Sequence, residues 1–103
     1  MAAGDALDDV GAPVLVVEDD EDLRRLIHHV LDRQGYAVRA VAQGDALRAA
    51  LRERPRPRLI LVDADLEVRR HTWCTGIPVV CVEKPVSVVA LRAAVGEALR
   101  AAA

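Results

Sequence analysis

Three apolar runs in this chain end in residues that can do chemistry. Val14-Leu-Val-Val17 leads into Glu18-Asp19, Leu59-Ile-Leu-Val62 into Asp63, and Ile77-Pro-Val-Val-Cys-Val82 into Glu83-Lys84-Pro85. If the first two runs are neighbouring strands, the carboxylates of Glu18, Asp19 and Asp63 meet at one sheet end. Three such groups within a few ångströms repel, and at least one pKa rises unless a cation intervenes. A hard divalent ion held by a few carboxylates and several waters answers that repulsion, and magnesium fits the ligand set. A lysine at the same end would neutralise a phosphoryl group bound beside the metal. Taken singly, each residue reads more plainly. Acids after strands commonly cap the next helix, the role expected of Asp20 and Asp22, and a lysine before a proline is commonly a surface residue. The weight lies in the joint order of strand and acid pair, strand and acid, strand and Lys-Pro.

The elements that must position these groups follow from periodicity. Val14–Val17 and Leu59–Val62 are continuous and β-branched or aliphatic, as strands buried on both faces are. Leu23, Leu26, Ile27, Val30 and Leu31 recur at helical spacing, with acids at the N-terminal end and Gly35 as the stop. Tyr36–Val41 reads as a second strand. Gly44-Asp45 opens a second helix facing Leu47, Ala50 and Leu51 inward, which ends before Pro55. Ile77–Val82 is a fourth strand with Pro78 at its entrance, as suits an edge. Ser87 caps a last helix whose apolar side is Val88, Leu91, Val95, Ala98 and Leu99. Strands alternating with helices predict a parallel sheet with helical crossovers.

Composition agrees with one small α/β unit. The 103 residues are 52% hydrophobic and 29% charged, with a formal charge of −2 and both signs interspersed. That gives no electrostatic footprint for nucleic acid or an anionic membrane, and no apolar run is long enough to span a bilayer. The start lacks a basic region followed by an apolar one, so the cytoplasm is the expected location. Residues 1–12 read as a flexible leader and 13–103 as a single domain. Cys74 and Cys81 do not form a C-x-x-C pair. With His71 they make at most a partial metal set without an evident fourth ligand, and the favoured reading is one loop cysteine and one core cysteine, Cys81. His28 and His29 lie on the first helix, away from the acids.

Val14-Leu-Val-Val-Glu-Asp-Asp-Glu-Asp-Leu-Arg-Arg-Leu-Ile27 resembles the first strand and helix of bacterial response regulator receiver domains. Arg56-Pro-Arg-Leu-Ile-Leu-Val-Asp63 resembles their phosphoacceptor strand, and Lys84-Pro85-Val-Ser87 their final Lys-Pro turn. The resemblance implies a flavodoxin-like (CheY-like) α/β fold. It implies Glu18 and Asp19 as the metal-binding acid pair, Asp63 as phosphoacceptor and metal ligand, the backbone carbonyl of Asp65 as a further ligand, and Lys84 as the phosphoryl contact. The cofactor is then Mg2+. The chemistry is phosphoryl transfer from the phosphohistidine of a sensor histidine kinase or phosphotransferase, positioned and charge-neutralised instead of carried by a separate enzyme activity. Such a protein catalyses at most its own phosphorylation and dephosphorylation.

The chain also departs from that pattern. Asp63 and Pro78 are fifteen residues apart, so the crossover helix is very short or absent. The fourth-strand and fifth-strand signatures are fused, which predicts four strands in the order 2-1-3-4 and about three helices. Glu83 stands where the family has a serine or threonine, and Cys81 where it has an aromatic. Loss of a covering helix exposes a sheet face and an edge. A homodimer or an output protein covers them, with Trp73 in the contact, or the 64–76 loop folds over the gap. Two further functions stay open: a pseudo-receiver that signals by protein contact alone, and a small phosphatase using Asp63-x-Asp65, a spacing common by chance.

Overall fold

The computed structural model describes residues 12–63 and 76–102. The elements in order are β1 (Val14–Val17), α1 (Glu21–Arg33), β2 (Val38–Val41), α2 (Asp45–Arg52), β3 (Leu59–Asp63), β4 (Val79–Val82) and α3 (Val88–Ala102). The four strands form one parallel sheet in the order β2-β1-β3-β4. That is the expected reduced flavodoxin-like arrangement. β1 and β3 are fully buried along their length, and the edge strands β2 and β4 are only half-buried. The gradient explains why the central strands read as unbroken apolar runs: both of their faces are covered.

Alternation divides the core in two. Val14, Val16, Leu59 and Leu61 pack on one face with Ile27, Val30 and Leu31 of α1 and Leu91 and Val95 of α3. Leu15, Val17, Ile60 and Val62 pack on the other with Leu47 and Ala50 of α2 and with Ile77. Among the described residues α2 is the sole helix on that second face. Cys81, read from sequence as a core residue, is exposed. It pairs with Val62 on this thinly covered face, at the outermost strand, where no described helix lies above it. Leu26 and Val88, placed on apolar stripes by their spacing, are 44% and 40% exposed. They sit at the margins of their stripes, where a helix turns away from the sheet.

Three helix ends are closed by identifiable groups. The Asp20 carboxylate accepts a hydrogen bond from the Leu23 amide at 2.9 Å and so caps α1. At the other end Gly35 takes φ 90, and the amides of Gly35 and Tyr36 donate to the carbonyls of Asp32 and Leu31. This paired closure needs a residue tolerant of positive φ, hence the glycine. Ser87 caps α3 by accepting from the Ala90 amide at 3.2 Å. The leader and the segment bearing Asp65, His71, Trp73 and Cys74 lie outside the described residues, apart from Ala12.

Leu61 is 1% exposed at the middle of the first core face. Leu61→Ala is expected to cost about 2–5 kcal/mol, from lost transfer energy plus the cavity left behind. That is a large part of a small domain's total stability. A urea midpoint within error of the wild type would contradict this account of the core.

Candidate functional site

The sheet register builds the site. Val17 pairs with Val62, so Glu18 and Asp63, the next residues, stand side by side at the carboxyl ends of β1 and β3. This is where the strand order reverses, with β2 following β1 to one side and β3 lying to the other. Asp63 in turn pairs with Val82, two residues short of Lys84. Glu18 and Asp63 are the two buried charged residues among those described, at 2% and 4% exposure.

The side chains converge. The Lys84 ammonium lies 2.7 Å from Asp63 Oδ2 and 3.5 Å from Glu18 Oε2. One carboxylate oxygen from each of Glu18, Asp19 and Asp63 lies within 4.8 Å of the others. Asp19 is exposed and so faces the solvent side of the cluster. A magnesium ion sets its ligands at about 2.0–2.1 Å, so oxygens on opposite sides stand about 4 Å apart. The spread of the three carboxylates fits such an ion with small side-chain adjustments. The spacing and the all-oxygen donor set suit a hard cation. Asp65, expected to lend its carbonyl, lies outside the described residues, as do His71 and Cys74 of the partial cysteine-histidine set.

Electrostatics follow from burial. Burial pushes the Glu18 carboxyl above the ordinary carboxylate range, and the charge of Asp63 adds to this. The Asp20 amide, donating to Glu18 Oε2 at 3.0 Å, works in the opposite direction, as does the Lys84 charge. The hydrogen bond to Asp63 holds the Lys84 ammonium charged well above the ordinary lysine range. Lys84 therefore serves as an internal counter-ion to two buried carboxylates.

Sequence reasoning overlooked Arg24. Its guanidinium donates to the Glu18 carbonyl at 3.0 Å, which ties the first turn of α1 to the end of β1. The signal was present: Arg24 lies one turn after the cap Asp20, on the side of the helix that looks back at the strand. His28 and His29 are exposed on α1 and contribute nothing to the cluster. Glu83, also exposed, follows β4 directly.

Residues 14–80 match the response regulator receiver domain. The chain belongs to that family. The match spans well over half of the sequence and ends before Lys84, whose place at the site rests on the Lys-Pro motif and on the geometry. Among solved structures, the receiver domain is similar to the chemotaxis response regulator CheY4 of Vibrio cholerae, with 21% identity, a TM-score of 0.69, and coverage of 84% of this chain and 98% of that one. It is also similar to NtrX from Brucella abortus in complex with ADP, at 23% identity and a TM-score of 0.66, covering 88% of this chain but 26% of that one. At these identities the likeness concerns the fold. No curated protein sequence matches closely enough to count as a relative. Among the described residues no helix is long and apolar enough to cross a membrane.

The raised pKa of Glu18 has a consequence for the receiver domain's stability. The folded state holds that proton more tightly than the unfolded chain does, so the ionised carboxylate opposes folding. The cost is absent at low pH, grows as pH rises from the ordinary carboxylate range through the raised value, and is complete above it. Glu18→Gln keeps the shape and removes the charge. It is expected to raise the metal-free melting temperature by a few degrees, as about 1 kcal/mol does in a domain of this size. Were magnesium to stabilise the wild type through this cluster, the same variant is expected to lose most of that gain. Thermal melts with and without magnesium check both halves.

Proposed function

We propose that this receiver domain accepts a phosphoryl group on Asp63 from the phosphohistidine of a sensor histidine kinase or phosphotransferase. The observation carrying this reading is the buried Asp63 carboxylate, 2.7 Å from Lys84 and clustered with Glu18 and Asp19 at the switch point of the sheet. An Asp63 oxygen attacks phosphorus, the phosphorus–nitrogen bond breaks, and its electron pair leaves with the imidazole. Lys84 stays charged throughout and turns from the Asp63 carboxylate towards the incoming phosphoryl oxygens. Burial of Asp63 keeps competing water away from the acyl phosphate. Glu18, Asp19 and Asp63, with the Asp65 carbonyl, would hold Mg2+, which when bound supplies neutralising charge for the carboxylates and phosphoryl oxygens. Preorganised charge of this kind is the main catalytic resource in phosphoryl transfer. Residues 13–103 form the acting unit, in the cytoplasm where the kinase phosphohistidine is made.

The test is incubation of the full chain with magnesium and acetyl phosphate, or with a cognate kinase, followed by intact mass measurement. A gain of one phosphoryl group that maps to Asp63 supports the reading, and no gain rejects it. Glu83 favours a second reading. An exposed carboxylate directly after β4 repels a phosphoryl group where the family offers a hydroxyl. The domain then keeps its acidic pocket and signals by protein contact alone. That outcome is recognised by an unphosphorylated protein whose cellular output persists in Asp63→Ala.

A further inference from the structure

Burial holds two of the three clustered carboxylates, Glu18 and Asp63, and leaves the third to the main chain. Asp19 is exposed, yet one of its carboxylate oxygens lies within 4.8 Å of oxygens from both. Where that carboxylate points depends on the two peptide planes that flank Asp19, each free to turn only about its soft dihedrals. The plane after Asp19 is held by Glu18, whose Oε2 accepts from the Asp20 amide at 3.0 Å. The plane before it starts in the sheet, where the Glu18 amide donates to the Val41 carbonyl at 3.0 Å. Its carbonyl, that of Glu18, accepts from the Arg24 guanidinium at 3.0 Å. Arg24 is half-buried on α1, and its own amide donates to the Asp20 carbonyl at 2.9 Å. None of the ion pairs among the described residues includes it. Its charge therefore neutralises no carboxylate at contact distance, and beside a cation site that charge is a disadvantage. What Arg24 supplies is a long arm with a planar, preorganised donor head.

We propose that Arg24 is a positioning residue for the metal site: by holding the Glu18 carbonyl it fixes the Glu18–Asp19 peptide plane and keeps the Asp19 carboxylate turned towards Glu18 and Asp63. The inference rests on the magnesium reading of this cluster given above. Without the guanidinium, the plane turns about ψ of Glu18 and φ of Asp19. The Asp19 side chain, held by no burial of its own, then spreads over rotamers that face the solvent. A cation meets two carboxylates in place of three. Groups that orient metal ligands from behind commonly account for about 10- to 100-fold in affinity. Charge alone predicts the reverse, because removing a positive group beside a cation site tightens binding of the cation. The sign of the change therefore separates a positioning role from an electrostatic one.

Magnesium titration of the full chain, followed by amide chemical shifts, tests this in wild type, Arg24→Met, Asp19→Asn and the double variant. Methionine keeps an unbranched stem and a good helix propensity while removing donor and charge. Arg24→Met is expected to bind magnesium about 10-fold more weakly than wild type. In its metal-free spectrum the Glu18 carbonyl carbon is expected to move upfield as the hydrogen bond is lost. In the Asp19→Asn background the same substitution is expected to change affinity by less than about 2-fold, because its effect passes through Asp19. A purely structural role would lower the melting temperature and leave the affinity of the folded protein alone. Equal or tighter binding by Arg24→Met overturns the proposal and leaves the metal site standing. So does an undiminished loss in the Asp19→Asn background. A wild type that binds no magnesium removes the metal reading itself, and the proposal with it. If Arg24→Met does not fold, Arg24→Lys decides, since its charge is unchanged. Affinity that follows the Glu18 hydrogen bond, both kept or both lost, supports the positioning role, and wild-type affinity with that bond lost overturns it.

Discussion

Asp63→Asn is expected to take up no phosphoryl group from acetyl phosphate or a kinase, while wild type gains one under the same conditions with magnesium. The substitution preserves the shape of a side chain that is 4% exposed at the end of a fully buried strand. What it removes is the nucleophile. An amide nitrogen or carbonyl in that place cannot form the acyl phosphate, so the loss is complete instead of graded. The fold should survive, since one of two close buried negative charges has gone and the core beneath is untouched. The Lys84 ammonium then keeps Glu18 as a carboxylate partner at ion-pair distance. Intact mass spectra together with far-UV circular dichroism check the prediction. A phosphorylated Asp63→Asn protein would move the acceptor elsewhere and remove the role given to this carboxylate.

Lys84→Ala should have the second largest effect, and it should act in two directions. Phosphoryl transfer is expected to slow by about 100-fold, the usual consequence of deleting one preorganised donor to developing charge. Magnesium affinity is expected to rise in the same variant. In the wild type the ammonium already neutralises Asp63 at 2.7 Å and Glu18 at 3.5 Å, so an incoming cation competes with a charge supplied by the chain. Without the lysine, the two carboxylates face each other with less compensation, and a divalent ion gains by replacing it. Magnesium titration by calorimetry and a phosphorylation time course give the two readings separately. A fall in both affinity and rate would mean that Lys84 organises the pocket instead of competing for it.

Much of this architecture is legible in the residues. The buried strands announce themselves because β1 and β3 are covered on both faces, and burial leaves no room for a polar alternation. Their ends are equally plain, because a change from valine to carboxylate marks where the sheet stops. The order 2-1-3-4 comes with the family resemblance, and the fused fourth strand and Lys-Pro turn reduce its five strands to four. Features that depend on neighbours from elsewhere in the chain were harder to read. Cys81 has the type and setting of a core residue, and only the outer position of β4 exposes it. Leu26 fits the helical stripe, yet the stripe is wider than the sheet it meets. Arg24 looks like one more surface charge until the strand end folds back within its reach. The sharing of one ammonium between two acids is a property of three strands at once, and no local pattern encodes it.

The Arg24 clasp on the Glu18 carbonyl has one more implication. With Asp20 fastening the same turn and the sheet holding β1 and β3, the main chain beneath Glu18 and Asp63 is stiff before any ligand arrives. A cation drawn to these carboxylates would meet a main chain already set along β1 and β3, with the Lys84 arm as the described group that must give way.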